Sequence, residues 1–149
     1  MKKIFVLIGL IIVSFWGTGQ TNSKNKLTPQ EKLNEEYCSG LFKNVDGTIL
    51  EISDNQSAQG YLNILDWLEG RVAGLQIYSS WAGVKFPFIR GSQAKIYVDE
   101  MAVDASYLNA LPISDIAMIK VIKGPSASVF GASGVIAIYT IKDEDEEDE

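Results

Sequence analysis

The sequence of 149 residues contains no histidine, a single cysteine and one long apolar run. Without histidine, every acid–base or metal scheme built on imidazole is excluded, and imidazole is the side chain that titrates nearest neutrality. Cys38 alone makes no internal disulfide and has no imidazole to activate it as a nucleophile. A lone cysteine of this kind reads as a small packing residue. Lys123-Gly124-Pro125-Ser126 lacks the glycine spacing and terminal lysine of a phosphate loop, so Ser126 and Ser128 read as turn and cap residues. These absences predict a protein that is not an enzyme and takes neither cofactor nor metal. The formal net charge of −6 gives no electrostatic footprint for nucleic acid.

The apolar run lies at the start. Met1-Lys2-Lys3 is positive, Ile4 to Trp16 is uncharged, and Gly17-Thr18-Gly19 supplies the small residues a signal peptidase reads. Thirteen residues of helix reach only about 20 Å, whereas a bilayer core needs about 30 Å. Residues 1–19 are therefore expected to be a cleaved signal peptide, with Gln20 first in an exported chain. No later stretch is long and apolar enough to insert directly into a membrane. At the other end, Asp143 to Glu149 is an unbroken run of seven acids, read as a solvated, disordered tail. Losing Lys2 and Lys3 takes the formal charge from −6 to −8, and setting the tail aside leaves −1, so the part between is nearly neutral.

Residues 20–44 are polar and read as an exposed leader. A short helix is predicted over Thr28 to Tyr37, with Thr28 as N-cap, Pro29 at the first helical position and Glu31 closing a capping box. From about Val45 the texture becomes that of a domain. Thr48 to Ile52 reads as a strand, and Tyr61, Ile64, Leu65 and Leu68 make one helical stripe. Leu75 to Tyr78 is a strand, followed by an irregular loop through Trp81, Gly83 and Pro87. Short strands are predicted at Phe88 to Arg90, Lys95 to Val98, Met101 to Val103 and Met118 to Lys123. Asp104 is placed as the cap of a short helix, and Val135 to Lys142 as a closing strand with Val135, Ala137, Tyr139 and Ile141 on one face. The fold class expected is α+β, with short mixed strands and two or three short helices, filling residues 45–142 as one domain.

The order of segments resembles the plug domain of TonB-dependent receptors, most closely the SusC-like branch. The resemblance rests on Leu68-Glu69-Gly70-Arg71-Val72-Ala73-Gly74-Leu75-Gln76-Ile77, then Ile89-Arg90-Gly91, then the pair Ile96-Tyr97-Val98-Asp99 and Met101-Ala102-Val103-Asp104. Leu108-Asn109, Asp115-Ile116, the run Ile119 to Ala127 and the glycines before the last strand follow in the same order. Glu100 stands where that family usually carries glycine, so its hairpin turn is expected to use other dihedrals.

The resemblance implies a polar-surfaced plug inside a large outer-membrane β-barrel. A 22-strand barrel needs about 220 residues in strands alone, more than the sequence holds, so the barrel is expected to be another polypeptide. The implied role is a non-catalytic gate at the periplasmic end of that pore, with the type 9 secretion translocon as the pore that fits. A soluble periplasmic adaptor or ligand-binding module with the same fold is the alternative. Arg90 corresponds to a family arginine facing barrel-wall carboxylates, and a planar guanidinium suits that pairing. Lys120 and Lys123 are candidates for the same use, or are solvated strand lysines. Trp81, Phe86 and Phe88 are candidate partner anchors, with closure of the core beneath their loop as the competing reading.

Overall fold

Ile116 to Lys123 and Gly134 to Thr140 carry apolar side chains at consecutive positions, a pattern that requires cover on both faces of a sheet. The computed structural model describes residues 27–142; the expected signal peptide and the acidic run lie outside the described residues. Helices and strands follow in the order α1 (Pro29–Tyr37), β1 (Thr48–Glu51), α2 (Gln56–Gln59), α3 (Ile64–Leu68), β2 (Leu75–Ser79), β3 (Lys85–Ile89), β4 (Ser92–Gln93), β5 (Lys95–Val98) and β6 (Met101–Val103). The 3-10 turns Ala105–Asn109 and Ile113–Asp115, then β7 (Ile116–Lys123), α4 (Pro125–Ser128) and β8 (Gly134–Thr140), complete the domain. It is the small α+β architecture expected, with four short helices.

Five strands form one sheet in the order β1-β7-β8-β5-β6, and β2-β3-β4 form a second. Only β5 and β8 run parallel; every other pair is antiparallel. Strands β7 and β8 are central and buried on both sides. One face carries Ile116, Ile119, Val121, Ile136 and Ile138 against Ile64, Leu65, Trp67 and Leu68 of α3 and against Ile89 of the second sheet. The other carries Met118, Ile122, Val135, Ala137 and Tyr139 against Cys38 and Phe42. No described helix is long and apolar enough to cross a membrane.

Several elements differ from the sequence reading. The stripe from Tyr61 to Leu68 is not one helix: Asn63 is an N-cap whose side chain accepts from the Leu65 amide at 2.9 Å, so α3 starts at Ile64 and Tyr61 stays outside it. The loop after β2 is short, because β3 begins at Lys85 and includes Pro87. Ser92 and Gln93 pair with Ile89 and Phe88, so position 87 lies beyond that ladder and its missing N–H costs little. Asp104 makes no side-chain cap, and a 3-10 turn follows it. The capping box of α1 forms as predicted, with Glu31 N donating to Thr28 Oγ1 at 3.2 Å and Thr28 N to Glu31 Oε2 at 2.7 Å.

The leader is not exposed throughout. Cys38 and Phe42 are buried, and Leu33, Tyr37 and Val45 pack beside them. Nor does the hairpin turn avoid left-handed dihedrals. Asp99 and Glu100 hold φ of 46° and 65° without glycine. Such strain persists where the surroundings fix it. Here the Asp99 carboxylate accepts from Thr140 N and Oγ1, each at 2.9 Å, and the Glu100 carboxylate accepts from Gly40 N and Leu41 N at 3.0 and 2.9 Å. The side chains that glycine would lack join the turn to β8 and to the segment after α1.

Candidate partner interface

Asp and Glu are absent from residues 70–98 and 116–142, and the topology brings parts of both stretches to one end of the domain. That end holds the β3–β4 turn, the start of β5, the end of β7 and the loop through α4. Arg90 is exposed there, and its guanidinium lies over Gly124, where a Cβ would come within 3.3 Å of Nη1. Lys123 Nζ donates to Ala73 O at 3.1 Å, and Lys95 Nζ donates to Phe130 O at 2.7 Å. Among the described residues the ion pairs are Lys43–Glu35 and Lys85–Asp66, so Arg90, Lys95 and Lys123 have no carboxylate within ion-pair distance. Two of these cationic heads are thus held by backbone carbonyls, the third lies over Gly124, and none meets a carboxylate among the described residues. The opposite end collects Glu51, Asp54, Asp99 and Asp115, where β7 begins and β8 finishes.

Arg90 and Lys123 of the predicted residues therefore come together. Lys120 does not join them. It is 2 % exposed, in the middle of β7, on the face covered by the leader. Its Nζ donates to Asn34 Oδ1 at 2.5 Å and to Phe42 O at 2.7 Å. The reading of Lys120 as a solvated or barrel-facing strand lysine is corrected on this point, since its ammonium is spent inside the chain.

The aromatics divide as well. Trp81 is 100 % exposed in the turn after β2 and closes no core. Phe86 is half-buried against the core, while Phe88 meets Tyr78 edge to face at a centroid distance of 5.0 Å. The sequence did not point to Lys95 or Asn34, and it marked Glu100 only as a departure at the hairpin turn. The acid-free stretches were a visible signal for Lys95, whereas Glu100 and Asn34 act over separations no local pattern reports.

Burial pushes the Lys120 ammonium below its ordinary 10.5, against the opposing charges of Cys38 and Asp46. Between that lowered value and 10.5 the unfolded chain binds more protons than the folded one, so stability rises with pH across this window. Below the window the cost of burying the charge is fully present. Urea denaturation at pH 8 and pH 10 should show wild type gaining stability relative to Lys120→Met. In that difference the thiol and phenol contributions cancel to first order. Equal pH slopes for the two proteins would show that Lys120 titrates like an exposed lysine.

No curated protein matches the sequence. Among solved structures, the RagAB peptide importer in its open-open state is similar over 66 % of this chain and 12 % of its own, at 27 % identity and a TM-score of 0.53. The siderophore receptor PirA from Acinetobacter baumannii is similar over 78 % of this chain and 19 % of its own, at 21 % identity and a TM-score of 0.54. A mutant of the ferric enterobactin receptor PfeA from Pseudomonas aeruginosa gives the same coverage at 22 % identity and a TM-score of 0.53. The last two likenesses speak to fold alone. The chain spans less than one fifth of each of these structures. The family model for the TonB-dependent receptor plug domain matches residues 44–138, beginning just after the segment that covers Lys120. That span is more than half of the sequence, and the chain belongs to the TonB-dependent receptor plug domain family.

Proposed function

We propose that this chain is a non-catalytic plug that seals the periplasmic end of a large outer-membrane β-barrel carried by a separate polypeptide, and that this barrel is the protein-conducting pore of the type 9 secretion system. The observation that carries the reading is the cationic end. A plug needs a polar surface matched to a polar lumen. Arg90, Lys95 and Lys123 offer cations at one end that meet no carboxylate among the described residues, as an acidic barrel wall requires. The compact core is closed by the chain's own residues, so the plug brings a finished body to the pore. In this reading, release is displacement of that body.

A tagged copy of the protein, purified from detergent-solubilised outer membranes, is expected to bring down one large β-barrel protein in about equal amount. Deletion of the gene is expected to admit large antibiotics that the intact envelope excludes. Recovery of a soluble periplasmic protein with no barrel, together with unchanged permeability, would favour the adaptor reading instead.

A further inference from the structure

Residues 28–43 precede the family-matched span, yet they cover the sheet face formed by Met118, Ile122, Val135, Ala137 and Tyr139. They do so with little apolar burial. No residue of α1 is buried, and the segment contributes only Cys38 and Phe42 to the core. Side-chain clips to backbone supply the rest. Lys120 Nζ holds Asn34 Oδ1 and Phe42 O, the Glu100 carboxylate holds the Gly40 and Leu41 amides, and Lys142 Nζ holds Glu36 O at 2.7 Å. No residue of 28–43 belongs to a strand ladder, so lifting that segment away breaks no pairing in either sheet.

We propose that residues 28–43 form a releasable strap, which undocks from the face of β7 and β8 as a unit while both sheets remain folded. Segments with few buried apolar contacts and no ladder bonds open at lower free energy than the strands they cover. Phe42 rests among Tyr97 and Phe130, with centroids 5.0 and 4.9 Å away, and is the strap's one fully buried large side chain, while Leu33 and Tyr37 pack beside it half-buried. Undocking uncovers an apolar sheet face with the Lys120 ammonium at its centre. The strap therefore governs whether that face is closed or open. This inference stands on the strap and the sheet alone, whether or not the domain enters a barrel.

Cys38 reports the event without an introduced label. It is 1 % exposed, and burial pushes its thiol up, so it is protected while the strap is docked. Thiol labelling of the full mature protein with 5,5′-dithiobis(2-nitrobenzoic acid) in low urea is compared with amide exchange of β7 and β8. The opening constant that Cys38 labelling gives, after division by the rate of a free thiol, is expected to be at least tenfold larger than that from amide exchange of those strands, with a shallower dependence on urea. Glu100→Gly suits the turn's φ of 65° but removes both amide clips. The Glu100 carboxylate also accepts from Tyr139 OH of β8 at 3.3 Å, so the variant raises the docked state in free energy relative to both the strap-open and the unfolded chain. It is expected to raise labelling on the order of tenfold, with labelling keeping its shallower urea dependence and its lead in opening over β7 and β8. Phe42→Ala is expected to do the same from the apolar side. Labelling that keeps pace with strand exchange, with the same urea dependence in wild type and both variants, would overturn the strap.

Discussion

Reversing the charge at Arg90 and Lys123 together is expected to abolish capture of the plug by its barrel while leaving the fold intact. Both heads sit on the surface of one end, the guanidinium over Gly124 and the ammonium on Ala73 O. Neither has a carboxylate partner within the described residues whose loss would destabilise the domain. Arg90 already holds a φ of 55°, so glutamate there adds no backbone strain beyond what the arginine bears. Truncating one member of a desolvated interfacial charge pair costs about 2–5 kcal/mol, and reversal adds repulsion. For two sites this amounts to a loss of about a thousandfold or more in affinity. Lys32→Glu, on the outer side of α1, alters charge away from this end and is expected to leave capture unchanged. Co-purification of wild type and variants at low and high salt is the measurement. Wild-type capture should weaken with salt as rim contributions are screened. If the double reversal still recovers the barrel in full, the cationic end does not face it.

What the sequence disclosed, and what it hid, separate by range. The capping box of α1 was legible because Thr28, Pro29 and Glu31 act within one turn. Strands β7 and β8 were legible from their alternation, although β7 starts two residues earlier and β8 ends two residues sooner than expected, and the plug architecture was legible from the order of segments around Ile89-Arg90-Gly91 and Gly124-Pro125-Ser126. The breaks were decided elsewhere. Asn63 ends the predicted helix because its amide both caps α3 and donates to Asn109 Oδ1 at 2.9 Å, a partner 46 positions away. Lys120 looked solvated because a single cation in an apolar strand carries no sign of which side is covered. Asn34, 86 positions away, settles that. Glu100 looked like a poor substitute for glycine, since a turn is judged by its dihedrals and not by amides 60 residues earlier. Of the candidate interface, Arg90 was found by resemblance and Lys123 by its place beside a strand. The link between them became visible only when β3 and β7 were seen to end side by side.

That link makes Gly134 a position where one added methyl group is expected to destabilise the domain. It opens β8 opposite Lys123, and a Cβ built there falls 2.5 and 2.6 Å from Cδ1 and Cβ of Ile89. Ile89 is fully buried at the end of β3, so it has nowhere to retreat without parting the two sheets. Gly134→Ala is expected to cost about 1–3 kcal/mol by overpacking, and Gly134→Val more. Ile89→Ala alone should cost about 2–5 kcal/mol by leaving a cavity between the sheets. Because the methyl added at position 134 occupies part of that cavity, the double variant Gly134→Ala/Ile89→Ala should be more stable than the sum of its singles predicts, by about 1–3 kcal/mol in a urea-denaturation cycle. Strict additivity would mean the sheets do not meet at this point. The same contact sets the spacing of the interface, since Arg90 follows Ile89 and Lys123 pairs with Gly134. Gly134→Ala should therefore weaken barrel capture even under conditions where it remains folded, and adding Ile89→Ala should recover part of that loss.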